Sequence, residues 1–503
     1  MNATLTWRTG RSRVDIVLRL VLLLAVIAML AWQPGPAVAD DLVRVIVRSA
    51  GPSGAAMAVV RGLGGEVLME LPMINAFVAT VPGRAIARLT QSPGVLSVTP
   101  DGPLMKQGHF DPSEVMETLT NTYNLSVGAD VAWAQGITGQ GITVAIVDSG
   151  VEKRTAHGQP GSDFGQGKGK RLKARVSVSH VSHNPRDRYG HGTAVAGIIG
   201  GDGAVSGGQY VGIAPEVDLV SVKIGGDDGT GYESDLIAGL QWIYDHKDQY
   251  NIRVVNLSVT GATPMSYHES PIDAAVEILW FNGIVVVVAA GNAGETEPGA
   301  LYPPANDPFV ITVGAVNEEG TSDLGDDTML AWSSWGTDEA GGMKPDIVAP
   351  GARLVTTLAP NSVFAEEHPE RIVDETYFRF SGTSASAAVV AGAVALLLQH
   401  EPGLNPDQVK YRLWATARSW PGMPGDGKAG HGYLSLADAI NATTTESANV
   451  GITISRFLTP PGIDVAWNGV NWGGVNWGGV NWGGVNWGSV NWGSVNWGGV
   501  LDD

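Results

Sequence analysis

The stretch FSGTSAS at Phe380–Ser386 leads directly into the run AAVVAGAVALLL at residues 387–398. The second run is apolar on nearly every helical face and spans about three turns, which predicts a buried helix. Ser384 would then lie at the amino end of this helix, where unpaired backbone N–H groups and the helix dipole favour negative charge. This position suits a nucleophile or an ordinary helix cap, and the rest of the chain decides between them.

Strand-like and helical runs alternate between residues 124 and 440. The strand-like runs are 142–147, 218–224, 254–259, 284–290 and 309–316, and the helical runs between them are 193–199, 232–244 and 271–282. Near-continuous apolar strands separated by helices are typical of a parallel sheet covered on both faces. We therefore predict an α/β domain at residues 111–442, with a mostly parallel sheet and helices on both faces.

Composition narrows the class of protein. The chain has 503 residues, 68 glycines and only 16% charged residues, which fits a loop-rich α/β protein with a large core. The net charge of -19 argues against nucleic acid as a partner, because phosphate binding needs clustered Lys and Arg. The chain contains no cysteine, which excludes disulfides, Cys–metal sites and a cysteine nucleophile.

Two segments precede the predicted α/β domain. Residues 1–39 combine four arginines, an apolar stretch from Leu20 to about Trp32 and the small-x-small pattern AVA before Asp40. This pattern predicts a signal peptide and a secreted, extracellular protein, since the apolar stretch is short for a membrane span. Residues 40–110 follow the order β-α-β-β-α-β, which is typical of a small α+β ferredoxin-like domain.

The composition changes again after residue 442. Residues 443–464 are rich in Thr, Ser and Pro and lack a sustained period, which predicts a linker. VNWGG or VNWGS then occurs six times at Val470–Gly499, after a degenerate copy at residues 465–469. A tryptophan every five residues fits neither a helix face nor a strand face, so we predict that residues 465–503 form a flexible tail. The exposed indoles of such a tail would suit contact with a cell surface or a polysaccharide. The alternative to a flexible tail is a short β-solenoid.

Three further patterns supply partners for Ser384. Asp148 ends the apolar strand TVAIVD, His191 begins a helical run of small residues, and Asn292 follows the apolar strand VVAAG. Binding sites in open α/β sheets form where strands end. Each pattern alone has an ordinary explanation as a cap, a turn or a strand exit. Together they supply a nucleophile, a general base, an orienting carboxylate and an oxyanion donor.

At these residues the chain resembles the subtilisin-like serine proteases, the subtilase family. The likeness lies in NPRDRYGHGT at residues 184–193, SGTSA at 381–385 and KPDIVAPG at 344–351, and it covers residues 124–439. The order Asp148, His191, Ser384 also matches the order in that family. Residues 40–103 resemble the family's inhibitory propeptide.

The resemblance implies a serine endopeptidase that is made as an inactive precursor. Ser384 would attack the scissile carbonyl, His191 would transfer its proton, and Asp148 would orient the imidazole. Asn292 and the backbone N–H of Ser384 would bind the oxyanion. Asp187 would either support this site or cap the helix that follows it. The leader would be removed by a cut between about residues 103 and 114.

The resemblance also implies that two edges of the domain pair with an extended peptide. These edges are Gly229, Thr230 and Gly231 on one side, and Ser258, Val259 and Thr260 on the other. The primary pocket would lie between the second edge and the segment from Ala289 to Gly291. Thr260 and Pro304 stand where the family usually has glycine, which leaves the preferred substrate side chain open.

The expected partners are protein or peptide substrates and the chain's own propeptide, acting as an inhibitor of a monomeric enzyme. The chemistry needs no cofactor, and structural calcium, common in the family, has no assignable ligands in the sequence. The rival hypothesis is a cell-surface or carbohydrate-binding protein that uses a protease-like domain as the scaffold for its Trp-rich tail. The complete set of Asp148, His191 and Ser384 favours the enzyme.

Overall fold

A computed structural model describes residues 41–106, 108–110, 121–153, 162–165, 170–294, 302–459 and 462–469. The predicted export signal at residues 1–39 lies outside these described residues. The six tail repeats at residues 470–499 lie outside them too, so the predictions made for both segments stay predictions.

Residues 41–110, called the leader below, begin with a four-stranded antiparallel sheet in the order β2-β3-β1-β4. Its elements are β1 Leu42–Ser49, α1 Gly54–Gly62, β2 Glu66–Leu71, β3 Ala76–Pro82, α2 Ile86–Thr90 and β4 Val95–Pro100. This order confirms the predicted ferredoxin-like domain. Because side chains alternate along a strand, Val45 and Val47 of β1 pack under the leader's own helices, whereas Ile46 packs against the rest of the chain.

The main body, residues 121–442, is built on an eight-stranded sheet. The elements that follow the leader sheet are β5 Leu104–Lys106, α3 Tyr123–Ser126, α4 Ala129–Trp133, β6 Thr143–Asp148, β7 Leu172–Ser177, α5 His191–Gly200, β8 Asp218–Lys223, α6 Glu233–Tyr250, β9 Ile252–Leu257, β10 Val259–Gly261, α7 Pro271–Phe281, β11 Val285–Ala289, β12 Ile311–Asn317, β13 Thr328–Met329, β14 Gly336–Thr337, β15 Met343–Lys344, β16 Ile347–Pro350, β17 Leu354–Thr357, α8 Val363–Glu367, β18 Ile372–Val373, β19 Tyr377–Phe380, α9 Thr383–His400, α10 Pro406–Ala415 and α11 Leu436–Asn441. The sheet has the order β13-β12-β11-β9-β6-β8-β7, and β16 also pairs with β12. Every pair in it is parallel except β12 with β13. The predicted α/β class is therefore confirmed.

Two pairs of helices cover the sheet. Helices α5 and α9 pack on each other and on the sheet, and α6 and α7 form a second pair that packs on strands β9 and β11. Among the described residues, α9 alone is long and apolar enough to cross a membrane, but 89% of its apolar window is buried inside the protein. It is therefore explained as a core helix, in agreement with the prediction from residues 387–398.

Residues 443–459 lie against the main body, whereas their composition predicted a linker. Arg412 on α10 donates to the Thr444 carbonyl at 2.7 Å, and the Ala448 N–H donates to the Asp407 carbonyl at 3.1 Å. Trp467, in the first, degenerate copy of the repeat, is only 3% exposed, although the repeat pattern placed it in a flexible tail. The difference arises because a few large apolar side chains hold this segment, and they are hidden in an otherwise polar composition.

Candidate active site

Three separate elements bring Asp148, His191 and Ser384 to one place. Asp148 is the last residue of β6, His191 is the first of α5, and Ser384 is the second of α9. Strand β6 lies in the middle of the sheet, and its apolar residues Val144 and Val147 are fully buried. The carboxylate therefore stands on a rigid support at the carboxyl edge of the sheet, where open α/β sheets form their sites.

The three side chains form a continuous hydrogen-bonded relay. His191 Nδ1 lies 2.8 Å from both Oδ1 and Oδ2 of Asp148, and His191 Nε2 lies 3.1 Å from Ser384 Oγ. All three residues are fully buried. These distances are those required for proton transfer from a hydroxyl to an imidazole that a carboxylate orients.

The environment of the imidazole limits its movement. Phe364 and Phe380 meet the His191 ring nearly edge to face, with centroids 6.0 and 5.3 Å away. On the other side, a Cβ on Gly192 would lie 2.1 Å from the Gly150 carbonyl oxygen, so only glycine lets α5 approach the end of β6 this closely. The glycine after the histidine thus fixes the distance from His191 to Asp148.

Asp187 links the start of α5 to the residue after Asp148. Its Oδ1 accepts from the Gly190 N–H at 2.7 Å and from Ser149 Oγ at 2.9 Å, and its Oδ2 accepts from the Thr193 N–H at 2.8 Å. Burial raises the pKa of Asp187, and the hydrogen bonds from Thr193 and Gly190 oppose that rise. The structure thus combines the two roles that the sequence left as alternatives. Asp187 caps the helix and positions the site.

Asn292 is tied to the residue that precedes Ser384. Its Oδ1 accepts from the N–H and the Oγ1 of Thr383 at 3.0 and 2.9 Å, and Thr383 Oγ1 accepts from the Gly291 N–H at 3.1 Å. Because the oxygen end of the amide faces Thr383, its NH₂ end is directed elsewhere, as an oxyanion donor requires. The sequence reasoning gave no role to Thr383 or to Ser149. Their only signal was direct adjacency to Ser384 and Asp148.

The two predicted edges enclose the end of the leader. Strand β5 pairs antiparallel with β10, with Leu104 opposite Gly261, Met105 opposite Thr260 and Lys106 opposite Val259. On the other side the Leu104 N–H donates to the Gly231 carbonyl at 2.9 Å, and Pro103 forms a bridge with Tyr232. The leader therefore runs through this cleft as an added strand.

The remaining residues of the first edge shape its loop. Thr230 accepts from the Gly226 N–H at 2.6 Å through its carbonyl and donates through its own N–H to Asp228 Oδ1 at 3.0 Å. Gly229 has φ +85° and lies under the Lys106 ammonium, which would be 2.5 Å from a Cβ at this position. A glycine is needed here for both the backbone conformation and the close approach.

Leader residues lie on both sides of Ser384. Ser258, next to β10, exchanges two hydrogen bonds of 3.4 Å with Ser384, each hydroxyl reaching the other residue's carbonyl. Beyond Ser384, the His109 N–H donates to the Ser381 carbonyl at 2.8 Å. A Cβ on Gly108 would lie 3.5 Å from His191 Cδ2. Lys106 on one side and Gly108 and His109 on the other therefore lie around the Ser384 hydroxyl and the His191 imidazole.

The residues predicted to form the primary pocket lie at the ends of neighbouring strands. Ala289 is the last residue of β11, which pairs parallel with β9, and β9 leads through Ser258 into β10. Gly291 follows β11 and contacts Thr383. Thr260 is 2% exposed while the leader strand lies beside it, opposite Met105.

Within the described ranges, no group of three or more His, Asp or Glu side chains is arranged to hold a metal ion. Calcium stays an unassigned expectation.

The fold and the site define a serine endopeptidase of the α/β class, and comparison with known proteins identifies the family. The profile of the subtilase family matches residues 139–450, and the chain belongs to this family. It is 37% identical over 291 residues to the serine protease AprX of Bacillus subtilis (strain 168), which covers 57% of this chain and 63% of that protein. It is 30% identical over 358 residues to subtilisin E of the same organism, which covers 70% of this chain and 78% of that protein.

A solved structure supports the same fold. The crystal structure of fervidolysin from Fervidobacterium pennivorans, described as a keratinolytic enzyme related to subtilisin, matches with a TM-score of 0.60. The match covers 80% of this chain and 61% of fervidolysin, at 23% identity. At this identity, the likeness establishes the fold alone.

Proposed function

We propose that this chain is a secreted serine endopeptidase, made as an inactive precursor whose leader occupies the substrate cleft. The observation that carries the proposal is the position of the three hydrogen-bonded side chains next to the bound leader strand. The relay from Asp148 through His191 to Ser384 lies directly beneath a peptide strand held by main-chain hydrogen bonds. Main-chain pairing accepts most sequences, which fits an enzyme of broad substrate range.

The proposed reaction follows from the donors and acceptors in the site. Ser384 Oγ attacks the scissile carbonyl while His191 Nε2, 3.1 Å away, takes the hydroxyl proton. The Asp148 carboxylate holds Nδ1–H and stabilises the imidazolium, which then protonates the leaving amine. The backbone N–H of Ser384 and the Asn292 amide bind the oxyanion. Water, activated by the same imidazole, finally releases the acyl group from Ser384.

The position of the leader supports its role as inhibitor and first substrate. Lys106 pairs with Val259 before Ser384, and His109 pairs with Ser381 after it. We infer that the precursor cuts itself between Lys106 and His109, within the wider interval expected from the sequence. The freed leader then stays in the cleft as an inhibitor until it dissociates. Secretion rests on the export-signal pattern of residues 1–39.

Substitution of the nucleophile tests the proposal. Ser384→Ala removes the attacking hydroxyl, and we expect kcat for a peptide substrate to fall on the order of 10⁶-fold, the scale of such losses in catalytic triads. Ser386→Ala is the matched control, because Ser386 is a buried serine of the same helix whose Oγ donates to the Ala349 carbonyl at 3.0 Å. Equal peptide hydrolysis by Ser384→Ala and Ser386→Ala preparations would show that the serine mechanism is wrong.

A further inference from the structure

The C-terminal segment makes a contact with the leader that the active site does not require. This segment, residues 449–459 and 462–469, is called the C-terminal brace. It folds back on itself, since the Ile454 N–H donates to the Val465 carbonyl at 2.9 Å and the Trp467 N–H donates to the Ile452 carbonyl at 2.7 Å. In sequence, the turn of 3₁₀-helix at Arg456–Leu458 lies between the two stretches that these hydrogen bonds join.

Side chains of the main body hold the brace in place. The Trp467 indole stacks on Phe281 at 4.2 Å between centroids and donates to Asp407 Oδ2 at 2.6 Å. The Ser455 N–H donates to Glu277 Oε2 on α7 at 2.8 Å. The brace is therefore anchored at two points, one on each side of its 3₁₀ turn.

Arg48 of the leader contacts this 3₁₀ turn. Its Nη2 donates to the Phe457 carbonyl at 2.6 Å and to the Thr459 carbonyl at 3.4 Å, and its guanidinium lies 4.6 Å from the centroid of the Phe457 ring. Burial lowers the pKa of Arg48 to about 10, so the side chain is still a cation at neutral pH. A half-buried cation with carbonyl acceptors and an aromatic face makes a favourable contact.

The placement of Arg48 on β1 makes this contact part of the leader's docking face. Arg44, Ile46 and Arg48 point to the same side of the strand, because side chains alternate with period two. Arg44 Nη2 donates to Ser234 Oγ at the start of α6 at 3.2 Å, and Ile46 joins the main core. Arg48 adds a third point of attachment, on the C-terminal brace.

We propose that the C-terminal brace is a second binding surface for the leader, and that it slows the leader's departure after cleavage. The partner is the chain's own leader, recognised through the Arg48 guanidinium and the Phe457 ring and carbonyl. The inference rests on the proposed function, because release is meaningful only after the leader has been cut. Because Trp467 belongs to the first, degenerate copy of the repeat, the brace also links the start of the repeat tail to release of the leader.

The test measures leader release in the full-length chain. After self-cleavage, the complex is diluted, and the leader that still co-elutes with the enzyme in size-exclusion chromatography is followed over time. We expect Arg48→Ala to release the leader about tenfold faster, the effect expected for lost hydrogen bonds to a charged group. Arg61→Ala is the matched control, since Arg61 is an exposed arginine on α1 of the same leader.

A variant on the other side of the contact covers the case in which Arg48→Ala fails to fold. Phe457→Leu keeps the backbone acceptors but removes the ring, and we expect release about threefold faster, with kcat for a small peptide unchanged. If every folded variant released the leader at the rate of Arg61→Ala, the proposal that the C-terminal brace binds the leader would be wrong. Absence of any cleavage in the unmodified chain would instead contradict the proposed function, so the two failures are distinguishable.

Discussion

Two segments outside the main body lie against it, but they are held in different ways. The leader strand Leu104–Lys106 is held by main-chain pairing on both sides, with Gly261 and Gly231 as its neighbours. The brace is held by side chains, chiefly Trp467 on Phe281 and Asp407. A cleft that must accept many peptides can use only the first kind of contact, whereas a permanent part of the fold benefits from the second.

The largest expected effect comes from removing the anchor of the brace. Trp467→Ala deletes a buried aromatic ring and one of the donors to Asp407, and we expect the free energy of unfolding to fall by about 3 kcal/mol. Denaturant unfolding in the Ser384→Ala background avoids self-digestion. Trp467→Phe should lose less, because it keeps the ring on Phe281. If Trp467→Ala and its parent were equally stable, side chains would not be what holds the brace, and the contrast with the leader strand would be wrong.

A smaller effect is expected from a single main-chain contact of the leader strand. Leu104→Pro removes the N–H that donates to the Gly231 carbonyl, and we expect leader release about tenfold faster. Met105→Ala is the control, because the Met105 side chain is 38% exposed and should change the rate by less than about twofold. A stronger effect of Met105→Ala than of Leu104→Pro would mean that side chains, and not the backbone, hold the strand.

Release of the leader should also depend on pH through Glu233. Burial, and next the charge of Asp101, raise the pKa of Glu233 to about 7 while the leader is bound. Departure of Asp101 and Gly102 exposes this carboxyl and returns its pKa towards the ordinary value of about 4.5. The complex thus favours the protonated form, so its stability is complete below about pH 4.5 and is lost as the pH rises through about 7.

We therefore expect leader release to be about tenfold faster at pH 8 than at pH 5, measured by size-exclusion chromatography. Lys106, whose pKa burial lowers to about 8 in the complex, titrates only at the upper end of this range and there opposes the effect of Glu233. The side chain introduced by Glu233→Gln cannot titrate, so the rate of leader release should become nearly independent of pH. An unchanged pH profile in Glu233→Gln would assign the dependence to another group.

Much of the fold and of the candidate site could be predicted because the informative residues are local in sequence. Asp148, His191 and Ser384 each follow or begin an element whose apolar pattern is strong, so their meeting at one edge follows from the parallel sheet. Ser149 and Asp187 were harder to interpret, since their contacts join residues 38 positions apart through one carboxylate. Short polar side chains carry no periodic signal of such a contact.

The brace shows where sequence reasoning failed. Residues 443–464 lack a hydrophobic period, and composition therefore predicted a linker, but Phe457 and Trp467 are 4% and 3% exposed. Two isolated aromatic side chains are enough to fix a segment when pockets on the body receive them. The pocket for Trp467 is formed by residues more than a hundred positions away, Phe281 and Phe309, and no local sequence pattern predicts it.

The most direct test of the central claim is the mass of the processed chain. Intact-mass analysis of the purified protein, with the unmodified chain and Ser384→Ala in parallel, locates the cut to a single bond. We expect the unmodified chain to be cleaved between Lys106 and His109, with Ser384→Ala remaining uncut at that position. A cut outside these residues, or the same cut in Ser384→Ala, would contradict the assignment of the leader strand as the first substrate of Ser384.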